Sequence, residues 1–296
     1  MTLRMRLLST RSAASAALLL LLLATPAAAQ GRGRGLGHGH GSKEPPPESG
    51  EAVPAGTGVR HFGTWLDDAT VQPKGKGWTT VGVGYSRAPF GHQWDAPSVD
   101  AGIGVSKRVQ FAVTAPFSRV AYTDGSSIRG LGDAYIVTKV GLVDPGASGR
   151  SFGLAIAPML EVLNSGSVPE GERRVYWAIP VTFERRFQGF RAYGTVGYFS
   201  RGAAFGSGAL EVPVNQKVTV TGALSHSRSL KNDPLSDARQ LSRSRWDLTG
   251  GATYALTPRA TLFGNLGRTI SRIDENASSL ILGAGVSLGF ERVVRH

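Results

Sequence analysis

From residue 280 the chain reads Leu280-Ile281-Leu282-Gly283-Ala284-Gly285-Val286-Ser287-Leu288-Gly289-Phe290, apolar at every even position and Gly or Ser at the odd ones from Gly283 onward. A period of two predicts a strand with one greasy face and one small, polar face. About ten residues closing on an aromatic is the length a strand needs to cross a hydrocarbon layer at a tilt of about 45°. The segment therefore reads as a membrane-spanning strand.

The same period recurs from Gly77 onward, separated by turn-rich gaps, in about twelve runs. They are Gly77 to Ser86, Ser98 to Ser106, Val109 to Phe117, Leu131 to Leu142, Phe152 to Leu163, Val175 to Phe183, Phe190 to Phe199, Ala204 to Val214, Val218 to His226, Arg245 to Leu256, Ala260 to Gly267 and Ser279 to Phe290. Gaps after odd-numbered runs are mostly long and polar, as in Arg87 to Pro97, Ser118 to Gly130, Asn164 to Arg174 and Ser227 to Ser244. Gaps after even-numbered runs are mostly short, as in Lys107-Arg108, Asn215 to Lys217 and Thr257 to Arg259. Long loops on one side and short turns on the other predict an all-β fold: a transmembrane antiparallel up-and-down barrel of about 12 strands, with both termini periplasmic.

The large aromatics provide an independent test of that registration. Tyr85, Phe117, Trp177, Tyr198 and Trp246 fall at the ends expected outside the cell, and Phe152, Phe183, Phe190, Tyr254 and Phe290 at the periplasmic ends. Two girdles are expected of strands crossing a bilayer, whereas a soluble sandwich has no reason to sort its aromatics to both ends.

The ends of the chain fit export. Arg4, Arg6 and Arg11 precede an apolar run from Ala13 to Ala24, followed by Pro26 and Ala27-Ala28-Ala29, so residues 1–29 read as a signal peptide. That run is too short for a spanning helix of about 20 residues, and no other segment approaches one, which excludes a helical inner-membrane protein. Residues 30–76 begin as low-complexity Gly, Arg, His and Pro and read as a disordered periplasmic tail. Residues 77–290 form the barrel, and 291–296 a C-terminal tail.

The formal charge is +12, nearer +9 once the three signal-peptide arginines are set aside, since residues 1–29 hold no Asp or Glu. The basic residues are dispersed among turns with no basic stripe, which argues against nucleic acid and for anionic lipid head groups or anionic solutes. Cysteine is absent, so disulfides, thiol catalysis and thiolate metal sites are excluded. His38 and His40 sit in a Gly-His tract that reads as a linker, and no metal or other cofactor is expected.

The inward parity of the runs carries Asp100, Asp133, Lys139, Glu161, Glu184, Arg191, Glu211, Arg245 and Asp247, beside Gly102, Gly104, Gly197, Gly251, Gly283 and Gly285. On lipid a basic residue near the midplane would cost about 2–4 kcal/mol, and an acidic one somewhat less, so these charges belong to the lumen. Two arrangements satisfy them: a wet, solute-conducting lumen to which the glycines give room, or ion-pair ladders that fill a narrow barrel. Asp133 and Lys139 share one parity six residues apart, about 20 Å along the strand, so each needs partners on neighbouring strands.

Catalysis has little support. His226 is the one histidine at a strand end, flanked by Ser225 and Ser227, but Arg228 stands where outer-membrane phospholipases carry the serine that follows their histidine. The reading is a polar residue at the membrane rim, and the chain is not expected to be an enzyme. Asp67-Asp68, ahead of the first strand, is expected on the periplasmic side.

Gly130-Leu131-Gly132-Asp133 running on to Lys139 resembles a G-x-G-D-x-x-x-x-x-K pattern of outer-membrane barrels in the MetA-pathway of phenol degradation, or putative transporter, family. Val109 to Phe117, with Pro116 before the aromatic, and Phe183-Glu184-Arg185-Arg186-Phe187 leading into Tyr193 to Tyr198 resemble that family's third strand and mid-barrel hairpin. The resemblance implies an outer-membrane barrel that passes small solutes, hydrophobic or aromatic ones included. The chain departs from the common ending in placing Glu291 to His296 after Phe290, the aromatic expected to meet the barrel-assembly machinery during insertion.

Three functions are compatible with these residues. The first is a passive channel or facilitator in the outer membrane, with lipid, lipopolysaccharide and a small solute as partners. The second is a closed structural or adhesive surface barrel that binds lipopolysaccharide or a protein. An autotransporter-type translocator is disfavoured, because residues 30 to 76 offer neither a passenger nor a helix.

Overall fold

The computed structural model describes residues 65–144, 151–163, 173–231, 241–274 and 277–291. The expected signal peptide, the tail as far as residue 64 with His38 and His40, and residues 292–296 lie outside them.

The described chain is a closed antiparallel barrel. Its strands are β1 (Lys76–Ala88), β2 (Gly91–Gly104), β3 (Val109–Tyr122), β4 (Ser127–Leu131), β5 (Ala134–Val143), β6 (Phe152–Ile156), β7 (Met159–Val162), β8 (Val175–Phe187), β9 (Phe190–Phe199), β10 (Ala203–Pro213), β11 (Val218–Ser229), β12 (Ser244–Thr257), β13 (Ala260–Thr269) and β14 (Leu280–Glu291). Both β4 and β5 pair with β3, and both β6 and β7 lie between β5 and β8, so each couple is one pass interrupted once. Twelve passes result, as the alternation predicts. The ring closes where β1 pairs with β14, from Lys76 opposite Glu291 to Arg87 opposite Leu280.

The interruptions share a cause. Proline cannot donate to a ladder, and Pro116, Pro158 and Pro180 lie on the third, fifth and sixth passes, beside or within the two breaks. The proline carbonyls still accept across the ladder: Gly132 N–H donates to Pro116 O (2.8 Å), Thr138 N–H to Pro158 O (3.0 Å) and Ala157 N–H to Pro180 O (2.9 Å). The Gly-x-Gly-Asp motif thus sits at the break between β4 and β5.

The rim where β1 begins and β14 ends is called the near rim, and the opposite one the far rim. Near-rim connections are short, apart from residues 144–151. At the far rim two of the expected long loops are strand. The β1–β2 hairpin turns at Pro89-Phe90 and the β3–β4 hairpin at Thr123–Ser126, so Arg87 to Pro97 and Ser118 to Gly130 mostly extend the wall. Above the bilayer both faces of a strand meet water, so no apolar track marks it in sequence, although its hydrogen-bond ladder continues.

The two faces of the wall are inverted relative to a soluble protein. Val81, Val83, Val196, Leu210, Leu266 and Leu288 are exposed on the outside, while Thr80, Gln110, Lys139, Glu184, Thr195 and Ser287 are buried within. An apolar exterior and a polar interior match a barrel whose solvent is hydrocarbon. The expected girdle aromatics lie on this exterior, with Phe117, Phe152, Trp177, Phe183, Phe190, Tyr198, Trp246, Tyr254 and Phe290 exposed and Tyr85 half-buried against Trp94 at 4.7 Å between ring centres.

The inward glycines do not leave open space. A side chain at Gly102 would strike the Trp78 ring, one at Gly197 the Phe205 ring, and one at Gly82 or Gly285 the Phe263 ring. Missing β-carbons here let aromatic rings lie flat across the wall.

Candidate functional site: a strap in the lumen

Residues 65–74 do not belong to a tail. The expectation of a disordered segment up to residue 76 is corrected for its last part, because Leu66, Asp67, Asp68, Ala69, Thr70 and Gln72 are buried inside the barrel. Trp65 stacks on Phe205 with 4.6 Å between ring centres and leans on Phe199 at 5.3 Å, both toward the far rim. Leu66, fully buried, clusters with Tyr193, Ala209, Ala223 and Phe263 and so touches both sides of the lumen. The strap then descends to the near rim, where Lys74 bridges to Gly104 and Gly75 N–H donates to Gly104 O (2.8 Å). A side chain at Gly104 would collide with the carbonyls of Gln72 and Pro73, so glycine is needed for the strap to pass. Gly75, at φ 78°, reverses the chain into β1.

Amino-acid chemistry explains why the strap goes in. Trp65-Leu66 supplies apolar surface to the lumen, and Asp67-Asp68 supplies the counter-charge for Lys139 and a further carboxylate for Arg191. Lys139 Nζ donates to Asp67 Oδ1 (2.9 Å), to the Asp68 carbonyl (2.7 Å) and to the Thr70 carbonyl (3.2 Å), and lies 3.3 Å from Asp68 Oδ1. Arg191 Nη1 donates to Asp68 Oδ2 (2.9 Å) and Nη2 to Glu211 Oε2 (2.9 Å). One carboxylate of Asp68 therefore bridges two cations, an oxygen to each. Asp67 N–H donates to Thr195 Oγ1 (3.0 Å), the Thr70 hydroxyl donates to Glu184 Oε2 (2.8 Å), and Gln72 N–H donates to Gln110 Oε1 (2.8 Å). Arg186 Nε donates to Glu184 Oε1 (2.7 Å), completing a network over β5, β8, β9, β10 and the strap.

Asp67-Asp68 was expected on the periplasmic side, and it lies instead in the middle of the lumen. The partners that Lys139 needs come from the strap, where neighbouring strands were expected to supply them. Removing one member of a buried pair strands the other and costs about 3–5 kcal/mol, so these contacts hold the strap firmly.

Other inward charges make their contacts away from the strap carboxylates. Glu161 accepts from the Tyr135 hydroxyl (2.8 Å) and pairs with Arg201 (2.7 Å), whose guanidinium lies 4.5 Å above the Tyr176 ring. Asp100 accepts from Trp78 Nε1 (2.6 Å) and the Thr114 hydroxyl (2.7 Å). Arg245 pairs with Asp247 (2.8 Å), which also accepts from the Thr269 hydroxyl (2.7 Å). Asp133 is half-buried at the break between β4 and β5. The structure thus brings Lys139, Glu184, Arg191 and Glu211 together and leaves Asp100, Asp133, Glu161, Arg245 and Asp247 in other places.

His226 Nε2 lies 2.8 Å from the Ser244 hydroxyl, and its ring stacks on Trp246 at 4.2 Å. Its hydroxyl partner is neither Ser225 nor Ser227, and its ring is stacked on an exposed tryptophan.

Sequence reasoning missed Trp65, Leu66, Arg186 and Arg201 as lumen residues, and Trp94, Phe111 and Phe187 as exposed belt aromatics. A signal for the strap was present: Trp65-Leu66-Asp67-Asp68 follows the Gly- and Pro-rich stretch with a composition unlike it.

No protein-family model and no curated protein matches this chain. Solved structures do match its fold. An outer membrane channel from Pseudomonas putida F1 is 14% identical with a TM-score of 0.58, covering 75% of this chain and 98% of that one. The NanC porin is 10% identical with a TM-score of 0.53, covering 71% and 98%. The KdgM porin is 7% identical with a TM-score of 0.50, covering 72% and 99%. At such identities the likeness concerns the barrel alone.

Proposed function

We propose that this protein is an outer-membrane channel for small solutes whose lumen is held shut by its own strap, residues 65–74. The observation that carries the reading is that a separable segment fills the lumen. The strap is attached to the wall at Gly75 and docked by ion pairs, so its release leaves a polar passage through a ring that is complete without it. The solved barrels of like fold are described as porins and a channel, which supports the same reading. So does the resemblance to the putative transporter family of phenol-degradation pathways, which adds hydrophobic and aromatic solutes to the candidates. The near rim, with its short turns, faces the periplasm in this reading, and the far-rim hairpins face outward.

The experiment is planar-bilayer conductance of the purified barrel and of its Asp67→Ala, Asp68→Ala variant. The wild type should show small or rare openings, and the variant larger and steadier current. Absence of current in both, under any voltage, would overturn the channel. A specific observation favours that second outcome: Lys139, Glu184, Thr195 and Ser287 are all fully buried, as in a closed structural barrel.

A further inference from the structure

The geometry points to a carboxylate-binding site in the lumen wall, formed by Lys139 and Arg191, in which Asp67 and Asp68 of the strap stand in for a solute carrying one or two carboxylates. The passage of that solute rests on the channel reading, while its binding does not.

Three observations lead there. First, the wall groups face a carboxylate with the geometry used to recognise one: Asp68 offers an oxygen to Arg191 at 2.9 Å and the other to Lys139 at 3.3 Å, while Asp67 offers a second carboxylate to Lys139 at 2.9 Å. Such charge-assisted bonds at about 2.7–2.9 Å are the strong class, and two cations from different strands fix the orientation of the anion. Second, the wall alone is out of balance. Lys139, Arg186 and Arg191 face Glu184 and Glu211, three cations against two carboxylates, and both carboxylates within 4.0 Å of Lys139 belong to the strap. With the strap docked Lys139 is only 1% exposed, so the segment that shields the ammonium from water also supplies its counter-charge. Third, the anions are supplied by a segment that is not part of the wall. An ion pair meant only to brace the barrel needs no detachable partner, and Glu211, on β10, shows that the wall can carry its own.

The test uses the full chain in detergent. The Asp68→Ala variant keeps the strap but leaves a carboxylate-sized space between Lys139 and Arg191. Acetate and malonate should bind this variant and raise its melting temperature, whereas 1,3-propanediol and sodium chloride at matched ionic strength should not. Malonate should bind the wild type about tenfold or more weakly than the variant, because the resident carboxylate occupies the site. Adding Lys139→Met to Asp68→Ala should abolish the effect. The inference is overturned by any of three results: no carboxylate-specific shift, equal malonate affinity in wild type and variant, or binding that survives Lys139→Met. Should Asp68→Ala not fold, Asp68→Asn offers the same readout with the side-chain volume kept, and its failure to respond to malonate counts equally against the site. Conductance of the same variants reports separately on the channel: malonate binding without current would leave the site standing and remove the passage.

Discussion

Two walls enclose one lumen and fill it in opposite ways. On β5 and β8 to β10 the inward side chains include long, charged ones that meet the strap through Lys139, Glu184 and Arg191, with Glu211 paired to Arg191 behind them. On β11 to β14 and β1 hydroxyls predominate, with Thr80, Thr221, Thr249, Thr253, Thr261 and Ser287 buried beside Gly82 and Gly285, over which the Phe263 ring lies, and the charges Arg245 and Asp247 pair with each other. A hydroxyl is satisfied by a neighbour on the next strand, as Thr80 is by Ser287 at 2.9 Å. A buried ammonium asks for a full opposite charge. The difference teaches that the strap docks where the wall is electrically incomplete.

The comparison can be broken first at its most charged point. Lys139→Met should lower unfolding stability by about 3–5 kcal/mol, since it takes a buried cation from both strap carboxylates and leaves Asp68 with Arg191. Urea unfolding in detergent micelles measures it, and neutralising Asp67 and Asp68 in the same chain should recover much of the loss. A loss no larger than that of a hydroxyl-wall substitution would erase the distinction between the walls.

On the quiet wall, Phe263→Ala removes the ring packed on Leu66 and laid over Gly82 and Gly285. A loss of about 3 kcal/mol is expected from the cavity it leaves, with no recovery on neutralising the strap aspartates. The same unfolding assay, run with and without the aspartate changes, separates packing from charge.

Thr80→Val should cost less, about 1–2 kcal/mol, by leaving the Ser287 hydroxyl without its partner at the strands that close the ring. Differential scanning calorimetry would register it as a small downward step in melting temperature. An effect as large as that of Lys139→Met would show that ring closure, and not the strap, carries the greater stability.

The smallest effect is expected outside both walls. At the far-rim turn the Ser126 hydroxyl and N–H both donate to Asp124, at 2.6 and 2.9 Å, and hold its carboxyl below the ordinary value. A depressed folded value makes the contribution present above the unfolded carboxylate value of about 3.9 and lost as pH falls through the folded one. An NMR titration of Asp124 in wild type and Ser126→Ala should show the value rising in the variant. No difference between them would remove the turn's hydrogen bonds as the cause.

Much of the ring was legible in the sequence because the bilayer imposes period two on every residue that crosses it. Leu280 to Phe290 shows this most fully, since apolar and small residues separate by parity. Legibility ended where that constraint ended. Ser118 to Tyr122 continues β3 above the bilayer, where nothing forces its faces apart. Trp65 to Thr70 forms no strand, so no period marks it, and its place is set by complementarity to Lys139 and Arg191, far away in the chain. Inward parity identified those two as lumen residues. That their partners lie 71 and 123 positions upstream at Asp68 is a fact of the closed ring, absent from any local pattern.

Gly75 adds a kinetic and concentration argument. Because the strap is joined to β1 at a single left-handed glycine, its carboxylates are a tethered competitor that never diffuses away. Short tethers hold a ligand at an effective concentration of about the millimolar range. A free monocarboxylate therefore gains the site only when its own concentration approaches that level. One molecule presenting both carboxylates engages both cations at once and prevails at lower concentration. The hinge thereby sets a threshold below which the barrel stays filled by its own chain.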